Sequence, residues 1–203
     1  IQIAHIPQID KLDDESLTMQ METTQSIFLE KFLSCKKLKE LEVLQSRALS
    51  KLSEQPWMNC HFDFERRNLM VDYNNEIAVI DFQDLCIGPV GIDLAGIIVD
   101  HYISYSDELI NDALKHYIKS SQLDVSVKDV FEWLRWGGVQ RNMRILGTLS
   151  NLYIQDNRTF RLKDLPGILE NLIFLIPNDE FMSLKEHLSS VVMPKLHEEL
   201  KAL

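Results

Sequence analysis

Apolar residues in the first part of the chain recur at intervals of three and four positions. The spacing is clearest at Leu38, Leu41, Leu44, Ala48 and Leu52. Because this period places side chains on one face of an α-helix, it predicts two amphipathic helices between Leu12 and Pro56. The first of these helices is expected to end near Leu33.

The helical period is lost between Trp57 and Gly91. Two short apolar runs, residues 69–71 and 77–80, flank the polar stretch Asp72-Tyr73-Asn74-Asn75. Asn tolerates the left-handed backbone conformation that tight turns require. This pattern predicts a β-hairpin.

The helical period returns after Gly88-Pro89 and holds to the end of the chain. Its expected breaks lie at residues 104–106, 121–124 and 155–164 and at Pro177. Ser126 and Asp129 have the spacing of a capping box, which predicts that a long helix starts there. That helix carries Trp133, Trp136, Gln140 and Arg144. Together these patterns predict a single domain over residues 1–203, of the α+β class and mostly helical around one small hairpin.

Net charge narrows the set of partners. The chain has 31 acidic and 21 basic residues, and its formal net charge is −10. No run of Lys and Arg interleaved with aromatic residues offsets this charge. Nucleic acid and anionic membrane surfaces are therefore not expected to bind. No apolar stretch approaches the roughly 20 residues that cross a bilayer.

Length and cysteine content fit a globular protein in a reducing environment. The chain has 203 residues, 45% of them hydrophobic, which is enough to bury a sizeable core. Cys35, Cys60 and Cys86 are odd in number and far apart, which argues against a disulfide framework and against a CxxC zinc site. These features favour a cytoplasmic location.

Candidate chemistry is concentrated at residues 61–68 and 80–84, on either side of the predicted hairpin. Phosphoryl transfer needs one oxygen-bearing side chain at the attacking hydroxyl and others that hold magnesium on the nucleotide phosphates. Asp63, Asn68 and Asp81 supply three such side chains. Magnesium prefers hard oxygen ligands, so an Asn amide oxygen and an Asp carboxylate suit it. The hairpin would return Asp81 to the level of Asn68, which would bring the two segments together.

The motif H-x-D-x-x-x-x-N from His61 to Asn68, followed by I-D-F-x-D from Ile80 to Asp84, resembles the aminoglycoside phosphotransferase and choline kinase superfamily. A further set of motifs is similar to bacterial cell-wall-recycling kinases, which phosphorylate the anomeric hydroxyl of N-acetylmuramic acid or N-acetylglucosamine. That set comprises N-L-M-V from Asn68, D-F-Q-D from Asp81, Gly88-Pro89, Asp93-Leu94, D-x-Y from Asp100 to Tyr102, the run from Gly138 to Gly147, and Leu165-Pro166. The likeness extends from Leu12 to about Leu188.

The resemblance implies a role for each matching residue. Asp63 would be the catalytic base or the group that orients the hydroxyl, and Asn68 and Asp81 would bind Mg²⁺. His61 would brace the loop, and Asp93 would hold the loop backbone. ATP would be the co-substrate. The acceptor would be a small-molecule hydroxyl, with the anomeric hydroxyl of an N-acetylated amino sugar as the leading expectation.

Supporting or substrate-binding residues are expected at Arg67, Asp84, Gln140 and Arg141. A position near the sugar or the metal is implied for Asp84. Arg141 and Arg144 share one helix face, and two interpretations of them stay open. They form surface ion pairs, or they contact a carboxylate-bearing sugar or a phosphate.

Two positions depart from the family pattern. These kinases commonly have His two residues after the catalytic Asp, where this chain has Glu65, and Arg after the motif His, where it has Phe62. Glu65 adds negative charge where phosphate must arrive. Arg66 or Arg67 is expected to offset that charge by pairing with Glu65 or with phosphate. We therefore expect altered substrate preference rather than lost activity.

Part of a complete kinase of this type is not found in these 203 residues. There is no G-x-G-x-x-G motif and no G-x-x-x-x-G-K-[ST] motif. We therefore expect the chain to be the C-terminal, catalytic-loop lobe of a protein-kinase-like fold, with the N-terminal nucleotide-binding lobe absent from it. By itself the chain is expected to fold but to be catalytically inactive.

Three alternative functions stay open. The first is a kinase for an aminoglycoside, choline or an amino-acid alcohol, since the motif specifies the reaction and not the acceptor. The second is metal-dependent phosphoester hydrolysis through Asp63 and Asp81, which leaves Asn68 unexplained. The third is a catalytically inactive, kinase-like binding module, which Glu65 would favour if it kept phosphate away.

Overall fold

A computed structural model describes residues 9–203. Its elements in chain order are α1 (Asp14–Thr23), α2 (Lys39–Ser53), β1 (Trp57–Cys60), β2 (Leu69–Val71), β3 (Ile77–Val79), β4 (Cys86–Pro89), α3 (Gly91–Ile98), α4 (Asp107–Ser121), α5 (Val127–Asp156), α6 (Leu165–Leu175), α7 (Asn178–His187) and α8 (Met193–Ala202). The mostly helical prediction and its breaks are confirmed. Within the described residues, no helix combines the length and apolar character that a membrane span needs.

The helices before Pro56 follow the predicted pattern. α1 continues as a π-helical segment over Thr24–Phe32 and ends at Leu33. Most of the apolar positions that predicted α2 are fully buried, namely Leu41, Leu44, Ala48 and Leu52. The period of three and four therefore identified the face of α2 that packs inward.

The described chain forms two compact units. The first unit contains residues 9–12 and Lys51–Gly138, and the second contains Asp13–Ser50 and Val139–Leu203. The loop and hairpin that carry the candidate chemistry lie in the first unit. Gln140 and Arg141 lie in the second.

The predicted hairpin is present in the first unit. β2 pairs with β3 in antiparallel fashion, with Leu69 opposite Val79 and Val71 opposite Ile77. Asn75 in the connecting turn has a φ of 65°, the left-handed conformation that Asn tolerates. The local turn signal was therefore sufficient to locate this hairpin.

The expectation of one small hairpin is corrected by a second antiparallel sheet, in which β1 pairs with β4. Trp57 lies opposite Pro89 and Cys60 lies opposite Cys86. Neither four-residue strand alternates between buried and exposed positions. β4 also contains Gly88-Pro89, two residue types that are depleted in strands. Its pairing therefore depends on tertiary contacts that leave no period in the sequence.

Close backbone contact fixes the start of α3. A Cβ atom added to Gly137 of α5 would lie 2.0 Å from the carbonyl carbon of Gly91, the first residue of α3. One added to Gly91 would lie 1.9 Å from the carbonyl oxygen of Trp133. Gln55 accepts a hydrogen bond from Gly91 N at 3.0 Å and donates one to Trp133 O at 3.2 Å. These contacts hold the helix end that carries Asp93.

The second unit contains the later part of α5, from Val139 onward. Its fully buried apolar side chains include Leu17, Met21, Phe28, Leu29, Val139, Met143, Leu146, Leu165, Leu169, Leu172 and Leu196. Thr24 Oγ1 donates a hydrogen bond to the Met143 carbonyl oxygen at 2.6 Å. Pro194 cannot donate a helical hydrogen bond, and a π-helical segment over Leu188–Val192 precedes it.

α5 begins at the predicted capping box. Asp129 N donates to Ser126 Oγ at 3.2 Å, and Ser126 N donates to Asp129 Oδ2 at 2.9 Å. The hydrogen bonds from Ser126 lower the pKa of the Asp129 carboxyl, because they stabilise the carboxylate. This start is followed by the long helix that the sequence predicted.

Candidate active site

The predicted catalytic loop begins at His61, directly after β1. Asp93, in the first turn of α3, accepts hydrogen bonds from the backbone N–H groups of His61 at 2.6 Å and Phe62 at 2.9 Å. Phe62 has a φ of 68°, a left-handed conformation that is unfavourable for a bulky residue. The buried carboxylate of Asp93 therefore stabilises the turn that leads the chain to Asp63.

His61 connects the loop to the chain that precedes Asp81. Its Nε2 lies 2.9 Å from the carbonyl oxygen of Ile80. Since a carbonyl oxygen only accepts hydrogen bonds, Nε2 carries the proton in this contact. Ile80 N donates to the carbonyl oxygen of Asn68 at 3.0 Å. Ile80, the residue before Asp81, is therefore bonded to both His61 at the start of the loop and Asn68 at its end.

Asp63 and Asn68 are in direct contact. Asn68 Nδ2 donates to the Asp63 carbonyl oxygen at 2.8 Å and to Asp63 Oδ2 at 3.3 Å. Asn68 is buried and ends a 3₁₀ turn over Arg66–Asn68. Because its NH₂ group is engaged with Asp63, the amide of Asn68 retains Oδ1 as its acceptor for a cation.

Asp81 follows the hairpin and is exposed, with a φ of 66°. Asp84, in the same segment, is also exposed. In the part of the chain that the structure describes, no group of three or more His, Cys, Asp or Glu side chains could hold a metal ion. Mg²⁺ commonly takes only one or two protein oxygens and completes its shell with water and substrate phosphates. The donor types at Asn68 and Asp81 therefore fit a metal that arrives with a nucleotide.

Glu65, the departure from the family pattern, is buried in the loop. Its Oε1 forms an ion pair with the guanidinium of Arg67, which is partly exposed. Arg67 is one of the two partners that the sequence suggested. The negative charge of Glu65 is therefore offset within the loop itself.

Arg66 makes a contact that the sequence does not predict. Its Nε lies 3.3 Å from Oδ2 of Asp100, beyond the C-terminal end of α3. From the sequence, Arg66 is expected only as a partner of Glu65 or phosphate, and Asp100 belongs only to the D-x-Y motif. No local spacing links the two residues, so the D-x-Y motif was the one signal that could have drawn attention to Asp100.

Gln140 and Arg141 are fully or almost fully buried in α5 of the second unit. Gln140 Nε2 donates to Gln20 Oε1 at 2.7 Å. The burial of Arg141 is incompatible with its interpretation as a surface ion pair. Substrate contact by Gln140 or Arg141 stays a prediction.

A cavity of about 620 Å³ lies in the first unit. Its lining residues include His61, Phe64, Val79, Asp93, Leu94, Ile97, Ala113 and Tyr117. Asp63, Asn68 and Asp81 do not line it. The lining of the cavity is mainly apolar, and the three side chains predicted to carry the chemistry lie outside it.

Cys60 directly precedes the loop and is buried. Burial, together with the nearby Asp93 carboxylate and the Cys86 thiol, raises the pKa of the Cys60 thiol. Because the thiolate is the reactive form, Cys60 is a poor nucleophile.

The sequence matches the model of the phosphotransferase enzyme family over residues 6–134. This span is more than half of the 203 residues and contains the loop, the hairpin and α3. The chain belongs to the phosphotransferase enzyme family, which confirms the resemblance seen in the motifs.

Several curated relatives carry a more specific name. The chain is 31% identical over 129 residues to the N-acetylmuramate/N-acetylglucosamine kinase of Neisseria meningitidis, with 61% of this chain and 38% of the relative covered. It is 31% identical over 124 residues to the kinase of the same name from Pseudomonas aeruginosa, with 59% of this chain and 36% of the relative covered. The corresponding kinase of Pseudomonas putida is 30% identical over 117 residues, with 55% and 34% covered. The chain therefore matches little more than a third of the length of these relatives.

Proposed function

We propose that the protein containing this chain is an ATP-dependent kinase for a small-molecule hydroxyl. The acceptor we propose is the anomeric hydroxyl of an N-acetylated amino sugar. The observation that carries the proposal is the contact between Asn68 and Asp63 in a loop whose backbone is held by Asp93. Family membership supports the reaction class, and the names of the three relatives support the acceptor.

In the proposed reaction, Asp63 orients the acceptor hydroxyl and accepts its proton. The hydroxyl oxygen forms a bond to the γ-phosphorus of ATP as the bond to the bridging β,γ oxygen breaks, and ADP leaves. Asn68 and Asp81 would hold Mg²⁺, which would neutralise charge on the phosphates when bound. The hydrogen bonds from Asn68 Nδ2 keep the base and the proposed metal ligand in a fixed relation.

The ion pair between Glu65 and Arg67 supports an active enzyme over an inactive binding module. A carboxylate that is paired with a guanidinium repels an incoming phosphate less than an unpaired one. We further propose that these residues form the kinase-like lobe that carries the catalytic loop. Such an enzyme would act in the cytoplasm on sugars released during cell-wall recycling.

An acceptor panel tests the proposed function. The full-length gene product is incubated with ATP, Mg²⁺ and one acceptor each: N-acetylmuramic acid, N-acetylglucosamine, an aminoglycoside or choline. We expect transfer to the amino sugars with loss of their reducing end, because a phosphorylated anomeric carbon cannot open to the aldehyde. Transfer to the aminoglycoside and to no amino sugar would show that the proposed acceptor is wrong and that the protein is an aminoglycoside kinase. No transfer to any acceptor would favour the binding module.

Asp63→Ala tests the role of the proposed base. We expect kcat to fall by roughly 10²–10⁴-fold, the usual contribution of general base catalysis. Binding of Mg·ATP should change little, because Asp63 is not a proposed metal ligand. Asp112→Ala, at an exposed position of α4, serves as the control and should keep parental turnover. Parental turnover in Asp63→Ala would remove Asp63 from the mechanism.

A further inference from the structure

Arg66 and Asp100 differ from an ordinary surface ion pair. Arg66 Nε lies 3.3 Å from Asp100 Oδ2, and the Asp100 side chain is only 6% exposed. This Oδ2 is shielded from solvent and accepts no hydrogen bond from the described residues 9–203. A carboxylate oxygen that water cannot reach depends strongly on a nearby cation. The charge of Asp100 is therefore offset by Arg66.

Asp100 is fixed in position on the chain after α3. Its second oxygen, Oδ1, accepts a hydrogen bond from the backbone N–H of Tyr102 at 2.7 Å. The guanidinium of Arg66 stands over the Tyr102 ring, with Cζ 5.3 Å from the ring centroid. A cation over an aromatic face is attracted by the ring quadrupole. Asp100 and Tyr102, two residues apart on the chain, therefore both contact the guanidinium of Arg66.

Arg66 lies in the loop between Asp63 and Asn68. It is the first residue of the 3₁₀ turn that ends at Asn68. The first half of the loop is held by Asp93, near the N-terminal end of α3. Asp100 lies just beyond the C-terminal end of the same helix. The first half of the loop is therefore held by a residue of α3, and the second half contacts a residue just after that helix.

We propose that Arg66 and Asp100 form a clamp that positions Asn68. In this arrangement α3 holds the start of the loop through Asp93 and its end through the Arg66–Asp100 clamp. Asp100 acts through Arg66 and touches no reacting atom, so it is a positioning residue. The effect of the clamp on magnesium and ATP rests on the function proposed above.

Amide hydrogen exchange of the 203-residue chain tests the clamp without any assay of activity. Asp100→Asn removes the charge but keeps an oxygen for Tyr102 N, and Arg66→Gln removes the cation. In both variants we expect exchange at residues 66–70 to become roughly tenfold faster, because local opening costs less. Phe62 should stay protected, since Asp93 still holds it.

Two further variants control this measurement. Asp112→Asn removes an exposed ion pair with Lys115 on α4 and should leave exchange unchanged. Arg66→Lys keeps the positive charge and should restore most of the protection at residues 66–70. Parental exchange at residues 66–70 in both Asp100→Asn and Arg66→Gln would overturn the clamp. An equal increase throughout the first unit would also overturn it, because the pair would then be only a general stabiliser.

The catalytic consequence is measured in the full-length gene product. Asp100→Asn should raise the Mg²⁺ concentration for half-maximal activity by roughly tenfold, the low end of the usual effect of residues that orient a metal ligand. The acceptor KM should stay parental, because the clamp acts on Asn68. A parental Mg²⁺ dependence would overturn the positioning role. Failure of the parent protein to phosphorylate any amino sugar would instead refute the proposed function, and hydrogen exchange would still decide the clamp.

Discussion

Phe62 and Asp81, at two edges of the candidate site, both have left-handed backbone conformations, with φ of 68° and 66°. This conformation costs most non-glycine residues, Phe among them, roughly 1–2 kcal/mol, while Asn and Asp tolerate it better. Phe62 is held by the hydrogen bond from its N–H to Asp93. Asp81 follows Ile80, whose backbone bonds to His61 and Asn68. Left-handed backbone thus occurs at one proposed site residue, Asp81, and directly before another, Asp63, as is common at functional sites.

The strain at Asp81 can be measured by comparing two substitutions. We expect Asp81→Gly to have a free energy of unfolding about 1 kcal/mol higher than Asp81→Ala, because only Gly adopts this φ without steric cost. Urea unfolding of the 203-residue chain gives both values. Thr148 is exposed in α5 and serves as the control. There we expect Thr148→Ala to have a free energy of unfolding about 1 kcal/mol higher than Thr148→Gly, since Ala favours the helix. An Asp81→Ala variant as stable as Asp81→Gly would contradict the strain.

At the scale of elements, α3 organises the candidate site. Asp93 in its first turn holds the loop backbone, and the helix starts at Gly91, against α5. Gly91 and Gly137 are required there by the close approach of two backbones, since neither has a positive φ. The position of the loop therefore depends on a contact between two helices.

Gly137→Ala tests this contact. A Cβ atom 2.0 Å from the Gly91 carbonyl carbon would force α3 and α5 apart. We expect the free energy of unfolding to fall by about 2 kcal/mol or more, as for other overpacked sites, despite the higher helix propensity of Ala. Thr148→Ala, exposed on the same helix, should change the value by less than about 0.5 kcal/mol. Neutral or stabilising behaviour of Gly137→Ala in urea unfolding would rule out the close approach.

At the scale of the whole molecule, the hairpin and the residues after it expose several large apolar side chains. They are Met70, Val71, Tyr73, Ile77, Ile80 and Phe82. Val71 and Ile77 lie opposite each other and are 64% and 69% exposed. Exposed apolar clusters commonly mark interaction surfaces or cause self-association.

We predict that the 203-residue chain self-associates through this cluster. Val71→Thr combined with Ile77→Thr should weaken association by about tenfold, because apolar area is removed while Thr keeps a high strand propensity. Sedimentation velocity measures the change. Met19→Gln with Val43→Gln replaces residues that are 58% and 59% exposed elsewhere and should have little effect. Equal effects of the two double variants would show that the hairpin is not the contact surface.

Short-range signals explain how much of the fold was predictable. The period of three and four located α2, the Asn-containing turn located the β2–β3 hairpin, and Ser126 with Asp129 located the start of α5. Each signal involves residues a few positions apart, whose interactions form in any chain with that local sequence. The motif spacing likewise selected Asp63, Asn68 and Asp81 as candidates, and their assigned roles stay predictions.

The sequence by itself determined the helices, the local hairpin, the set of oxygen-bearing residues and the family. Only the tertiary structure decided that β1 pairs with β4, that Arg67 and not Arg66 pairs with Glu65, and that Arg66 turns to Asp100. The physical reason is chain separation for the strands and for Asp100, because those partners meet only when the whole unit packs. Arg66 and Arg67 both follow Glu65 closely, so sequence position alone does not determine which of them pairs with it. The 3₁₀ turn decides this, because it points the two side chains in different directions.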